Sequence, residues 1–118
     1  MSTEEKTLQL VQRLHAKTKS GEVPWERTSR PGTFQAAFPN HIVKLSAFQN
    51  LDTPDALDYV ISVFDESGTI LENASDVDLQ KVSPGVKVFQ LMEELYEAAR
   101  RQALDVDSAL DSLLSELS

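Results

Sequence analysis

The residues of this chain with chemistry to offer are few: two Asp-x-Asp pairs, two histidines, and a tryptophan followed by arginines. Asp76-x-Asp78 and Asp105-x-Asp107 place paired oxygens where Ca²⁺ or Mg²⁺ could sit. Neither continues into a calcium loop with its glycine and terminal glutamate, so helix capping and turn formation are the expected roles. His15 and His41 stand apart, without the spacing of a zinc site, and neither has a sequence neighbour suited to make it a general base. The chain has no Cys, which removes thiolate nucleophiles and disulfides. It also has no Gly-x-Ser-x-Gly, no Ser-x-x-Lys, and neither glycine-rich phosphate loop. We expect no catalytic residue, no bound metal and no cofactor.

Trp25 is the only Trp, and it lies in a stretch punctuated by Gly21, Pro24, Pro31 and Gly32. An aromatic anchor beside Arg27 and Arg30 has the composition of a protein-recognition loop. The competing expectation is an indole plugging the end of the core, and we favour it because a buried Trp removes much apolar area from water. Arg13, Lys17, Lys19, Arg27 and Arg30 outnumber Glu22 and Glu26 over residues 13–30, so the segment is a candidate anion site. Cations complementing a helix C-terminus explain Lys17 and Lys19 equally well.

The charge is unevenly shared. The chain has 118 residues and a net charge of −8. Residues 1–60 hold seven acidic and seven basic side chains. Residues 61–118 hold twelve acidic ones against Lys81, Lys87, Arg100 and Arg101, so the whole excess lies there. Phosphate contacts dominate nucleic-acid affinity, so a chain this acidic is a poor default binder. No apolar run is long enough to span a bilayer, and the first residues lack a signal-peptide layout, so a cytoplasmic, non-membrane protein is expected.

Residues 4–20 read as a helix, with Leu8, Val11, Leu14 and Thr18 on one face and Gly21 as its stop. Residues 21–32 read as loop. Residues 33–38 and 41–49 alternate as strands about a Pro39-Asn40 turn, giving one hairpin. A loop over 50–56 leads to a second hairpin, 57–65 and 69–74, turned at Glu66-Ser67-Gly68. Segment 75–85 is polar, and its Ser83-Pro84-Gly85 end argues against a helix before residue 86. Residues 86–103 then form the longest helix, on a stripe of Phe89, Met92, Leu95, Tyr96, Ala99 and Ala103. A final helix follows Asp105, its stripe being Val106, Leu110, Leu113, Leu114 and Leu117.

The expected fold is one α+β domain over residues 1–118: an N-terminal helix, a four-stranded antiparallel meander of two hairpins, and two C-terminal helices packed on one sheet face. The last helix is surplus to such a core. Its leucines either complete the core or form a patch that a second copy covers.

Two stretches are similar to a family of small bacterial proteins with no assigned activity. One runs through Lys17-Thr18, Gly21-Glu22, Trp25-Glu26-Arg27-Thr28, Gly32-Thr33-Phe34-Gln35-Ala36 and Phe38-Pro39-Asn40; the other is LMEELYEAARRQAL, residues 91–104. The resemblance implies a bacterial origin. In size, acidity and class the chain also looks like type III secretion chaperones, although these place a helix between their strands.

The leading expectation is a non-enzymatic interaction module, homodimeric, binding protein or peptide. Its contact residues would be Trp25, Arg27, Arg30, Leu110, Leu113, Leu114 and Leu117. The alternatives are a nucleic-acid or anion binder using Arg13, Lys17, Lys19, Arg27 and Arg30, or a secretion-chaperone-like protein.

Overall fold

The structure, a computed structural model, describes residues 2–49, 52–53 and 56–118. It is an α+β arrangement of nine elements. Helix α1 (Thr3–Lys19) precedes strands β1 (Trp25–Arg27), β2 (Thr33–Ala37), β3 (His41–Gln49), β4 (Leu57–Asp65) and β5 (Ile70–Ser75). Helices α2 (Asp76–Val82), α3 (Val88–Ala103) and α4 (Val106–Leu117) follow. The sheet is a five-stranded antiparallel meander in chain order. The loop expected over 50–56 lies largely outside the described residues.

Local chemistry sets the ends of α1. The Ser2 hydroxyl accepts from the Glu5 N–H, and Glu4 and Glu5 occupy the first turn, where the helix dipole favours acids. At the other end Gly21 adopts φ +76°, a left-handed conformation most side chains resist. Its N–H donates to the Thr18 carbonyl, and that of Glu22 to the Lys17 carbonyl, each at 3.0 Å. This pair of bonds closes a Schellman motif and satisfies two orphan carbonyls.

The sheet has five strands rather than the expected four, because Trp25–Arg27 is paired rather than looped. Trp25 lies opposite Ala36, and Arg27 opposite Phe34. Three residues between prolines carry no legible period; pairing with β2 makes them a strand. The indole is buried, at 4% exposure, and its Nε1–H donates to the Thr18 hydroxyl at 2.9 Å. Trp25 is thus the plug between α1 and the sheet, and its burial withdraws it as an exposed recognition anchor.

The second correction is α2. Ser75 and Asp78 form a capping box: the Ser75 hydroxyl accepts from the Asp78 N–H, and the Asp78 carboxylate accepts from the Ser75 N–H. Proline excludes helical backbone at the residue before it, but no further. Ser83, at φ −146°, absorbs that restriction, and the helix fits into 76–82. Gln80 then organises the link to α3. Its Nε2 donates to the carbonyls of Ser83 and Val86, and its Oε1 accepts from the Val88 N–H. That last bond replaces the side-chain cap that Lys87 does not provide.

One sheet face carries Phe34, Ala36, Val43, Leu45, Tyr59, Ile61 and Ala74, all buried. Against it pack Leu8, Val11 and Leu14 of α1, Leu79 of α2, and Val88, Met92, Leu95 and Ala99 of α3. Tyr96 sits with its ring 5.5 Å from Phe34 and 5.4 Å from Tyr59. The tilted geometry suits the ring quadrupoles. Burial, aided by Glu93 and Glu97, pushes the Tyr59 hydroxyl up to about 12. On α3 Glu97 pairs with Arg100, one turn on, at 3.2 Å.

The third correction concerns α4, which does not pack on the sheet: none of its residues is buried. Asp105 stands at its N-cap position but adopts φ 54°, and its side chain makes no capping bond. The Cα radius of gyration is 15.3 Å, with a long axis of 54 Å. A compact chain of this length should have a radius near about 13.5 Å. The projecting α4 accounts for the excess.

Replacing Trp25 with Phe removes the indole N–H and leaves the Thr18 hydroxyl without its donor. We expect a loss of about 1–3 kcal/mol in unfolding free energy, read as a lower urea midpoint by far-UV circular dichroism.

Candidate functional site

Among the concavities and exposed faces of the described surface, three combine apolar or aromatic side chains with charge: the outer face of α4, a groove beside α1, and the outer face of the sheet.

On α4 the stripe is exposed along its length. Leu110 and Leu113 are 52% and 51% exposed, Leu114 68% and Leu117 83%. At 100° per residue the four side chains share one face. Asp107 and Asp111 flank it on one side and Glu116 on the other, and the helix has no Lys or Arg. Each leucine is a full-sized apolar side chain, and burying one from water is worth roughly 1.5–3 kcal/mol. A contiguous row of this kind is what an interface uses.

Beside α1, Leu10, Leu14, Val23 and Phe38 wall a groove of about 440 Å³, with Arg13, Lys17 and Glu22 on its rim. Lys17 reaches Glu22 across 3.6 Å. The Ser20 hydroxyl donates to the Glu22 carboxylate, and this bond, followed by the Lys17 charge, holds that carboxyl below its usual range.

The outer sheet face is concave over about 380 Å³. The Arg30 guanidinium stands 6.0 Å from the Phe48 ring centroid, and Lys44 Nζ stands 4.9 Å from that of Phe64. Ser46 and Ser62 lie between them, and the lining contains no carboxylate among the described residues.

The basic residues singled out in the sequence are therefore dispersed. Arg13 and Lys17 flank the α1 groove, Lys19 borders a separate concavity between α1 and α3, and Arg30 lies on the outer sheet face. Arg27 ends the edge strand β1. In the sequence Lys44, Phe48 and Phe64 carry no signal beyond alternation, which marks them only as the face opposite the core. Their meeting with Arg30 depends on how the loop before β2 folds over the sheet.

Of the two acidic pairs, Asp76 and Asp78 have structural employment, while the Asp105 side chain makes no capping bond. Asp78 belongs to the capping box, and its bonds to Ser75 lower its carboxyl. Asp76 Oδ1 accepts the Tyr59 N–H at 3.1 Å, tying α2 to β4. Among the described residues no three His, Asp or Glu side chains gather as metal ligands would. His15 Nε2 meets Glu94 at 3.0 Å, linking α1 to α3, and His41 is exposed at the start of β3. No described helix is long and apolar enough to cross a membrane.

Burial raises the Asp76 carboxyl above its ordinary value, against the lowering effect of the Tyr59 N–H. A carboxyl raised on folding contributes stability below its unfolded value, near about 3.9, and loses it as pH rises through the folded one. Asp76→Asn keeps the acceptor oxygen and removes the titration. We expect its stability relative to the parent to grow as pH rises from acid to neutral, then level off, in urea unfolding across that range.

Comparison with known proteins adds no relative: no family model matches the chain, and neither a curated protein nor a solved structure matches it at a significant level.

Proposed function

We propose that this chain is a non-enzymatic protein-interaction module that acts as a homodimer, with α4 as its principal contact element. One observation carries the reading: α4 holds four leucines in a row, all exposed, on a helix with no buried residue. The core beneath the sheet is closed by α1, α2 and α3 without it. A short isolated helix is marginal in water, so α4 gains its stability from whatever covers its apolar face. A second copy is the simplest cover, because each copy supplies the same unsatisfied surface.

Light scattering behind a sizing column should give twice the 13.1 kDa chain mass. Leu110→Glu with Leu114→Glu should return the chain mass while leaving the far-UV spectrum of the sheet and core helices unchanged. A parent chain that stays at 13.1 kDa to its highest soluble concentration overturns the dimer.

The outer sheet face supports a second reading, that of an anion or nucleic-acid binder. Arg30 and Lys44 sit over aromatic rings there, in a lining free of carboxylates among the described residues. Cations and rings together suit single-stranded nucleic acid, whose bases stack while its phosphates pair. Fluorescence anisotropy with a short single-stranded oligonucleotide should then show binding that weakens steeply with salt and is lost in Lys44→Glu. No binding at low salt rejects this reading.

A further inference from the structure

The stripe on α4 has a counterpart on α1. Leu10, Arg13, Leu14 and Lys17 recur at offsets of three, four and seven residues; so do Leu110, Leu113, Leu114 and Leu117. Each set lies along its helix as a ridge, and such ridges seat in one another's grooves when helices pack; Leu14 already belongs to the core, so the α1 ridge shows Leu10, Arg13 and Lys17 to solvent. The α1 ridge borders the groove of about 440 Å³ described above, where Leu10 is half-buried and Phe38 is 38% exposed. The groove therefore shows apolar surface to solvent, and no residue of α2, α3 or α4 lines it.

The charges also match. The α4 stripe is edged by Asp107, Asp111 and Glu116 on a helix with no cation of its own, Asp107 also lining the concavity that holds Lys19 and Arg101, and the α1 groove is rimmed by Arg13 and Lys17. Arg13 makes no ion pair among the described residues, and Lys17 has only the exposed contact with Glu22. Glu22 is the single acid on that rim. Packing α4 against the α4 of a second copy would bury the leucines too. It would also bring the carboxylates of both helices together with no cation of α4 to offset them, and like charges at close quarters oppose association.

The geometry points to a reciprocal exchange in which α4 of each copy lies in the α1 groove of the other. The leucines cover Leu10 and Phe38, and Asp107 and Asp111 face Arg13 and Lys17. This rests on the homodimer reading and adds the surface that α4 meets. In a two-fold dimer each copy gives one helix and receives one, so the contact closes on itself and makes no filament.

A charge exchange tests the docking in the 118-residue chain. One variant carries Arg13→Glu and Lys17→Glu; the other carries Asp107→Lys and Asp111→Lys. All four positions are exposed, and matching circular dichroism and urea midpoints establish that both variants fold. Each alone should dimerise at least about tenfold more weakly than the parent in sedimentation equilibrium. Mixed in equal amounts they should recover the dimer mass, because both contacts in the mixed pair are complementary. If both variants dimerise as tightly as the parent, the docking is overturned and the homodimer stands. If each is weakened but the mixture stays monomeric, the docking is likewise overturned. If the parent is itself monomeric, the homodimer reading falls first.

Discussion

The one-sided sheet is the constraint from which the rest of this structure follows. Five antiparallel strands present one apolar face, and that face has to be covered. Three helices close the core over it: α3 lies against β1 to β4, α2 against β4 and β5, and α1 packs on α2 and α3 with Leu8, Val11 and Leu14 in the common core. Tyr96 lies at the centre, against Phe34 from β2 and Tyr59 from β4. Both hydroxyls titrate above the ordinary tyrosine range because burial disfavours the phenolate, so the cluster stays neutral through the physiological range. Once α3 is seated, the face is full. α4 is left outside: it contributes no residue to the core and none of its residues is buried.

The charge division read along the chain acquires a shape in three dimensions. The acidic half ends in α4, which projects from the body and carries carboxylates on both flanks of its leucine stripe. The locally basic segment 13–30 does not become a single patch. It splits among the α1 groove, the concavity between α1 and α3, the edge strand and the outer sheet face. A net charge of −8 therefore coexists with two small cationic places. One adjoins apolar side chains, and the other adjoins aromatic rings. Association surfaces are built from such local contrasts; the total charge governs solubility and long-range steering.

Much of the fold was legible because its signals are local. α1 is announced by its 3.6-residue period, its acidic first turn and Gly21. The strands over 41–49 and 57–65 alternate cleanly, and the structure pairs them residue for residue. The misreadings have physical causes. β1 has three residues, too few for a period, and its identity comes from partners seven to eleven residues away. α2 was hidden by giving Pro84 a longer reach than its ring has, although Ser75-x-x-Asp78 was a visible capping box. Of the candidate sites, the leucine stripe was legible as a pattern. The cation–ring pairs on the outer sheet face were not, because they join residues from separate strands and a loop.

By itself the sequence determined the class of the fold, most element positions, the amphipathic face of every long helix and the uneven placement of charge. Periodicity and capping are short-range properties written in neighbouring residues. Only the tertiary structure decided which faces are satisfied. Trp25 lies inside because β1 pairs with β2 and brings its indole to the Thr18 hydroxyl. The α4 leucines lie outside because three other helices already fill the sheet face. A stripe of leucines looks the same whether it is core or surface; what distinguishes the two is the space left by the rest of the chain.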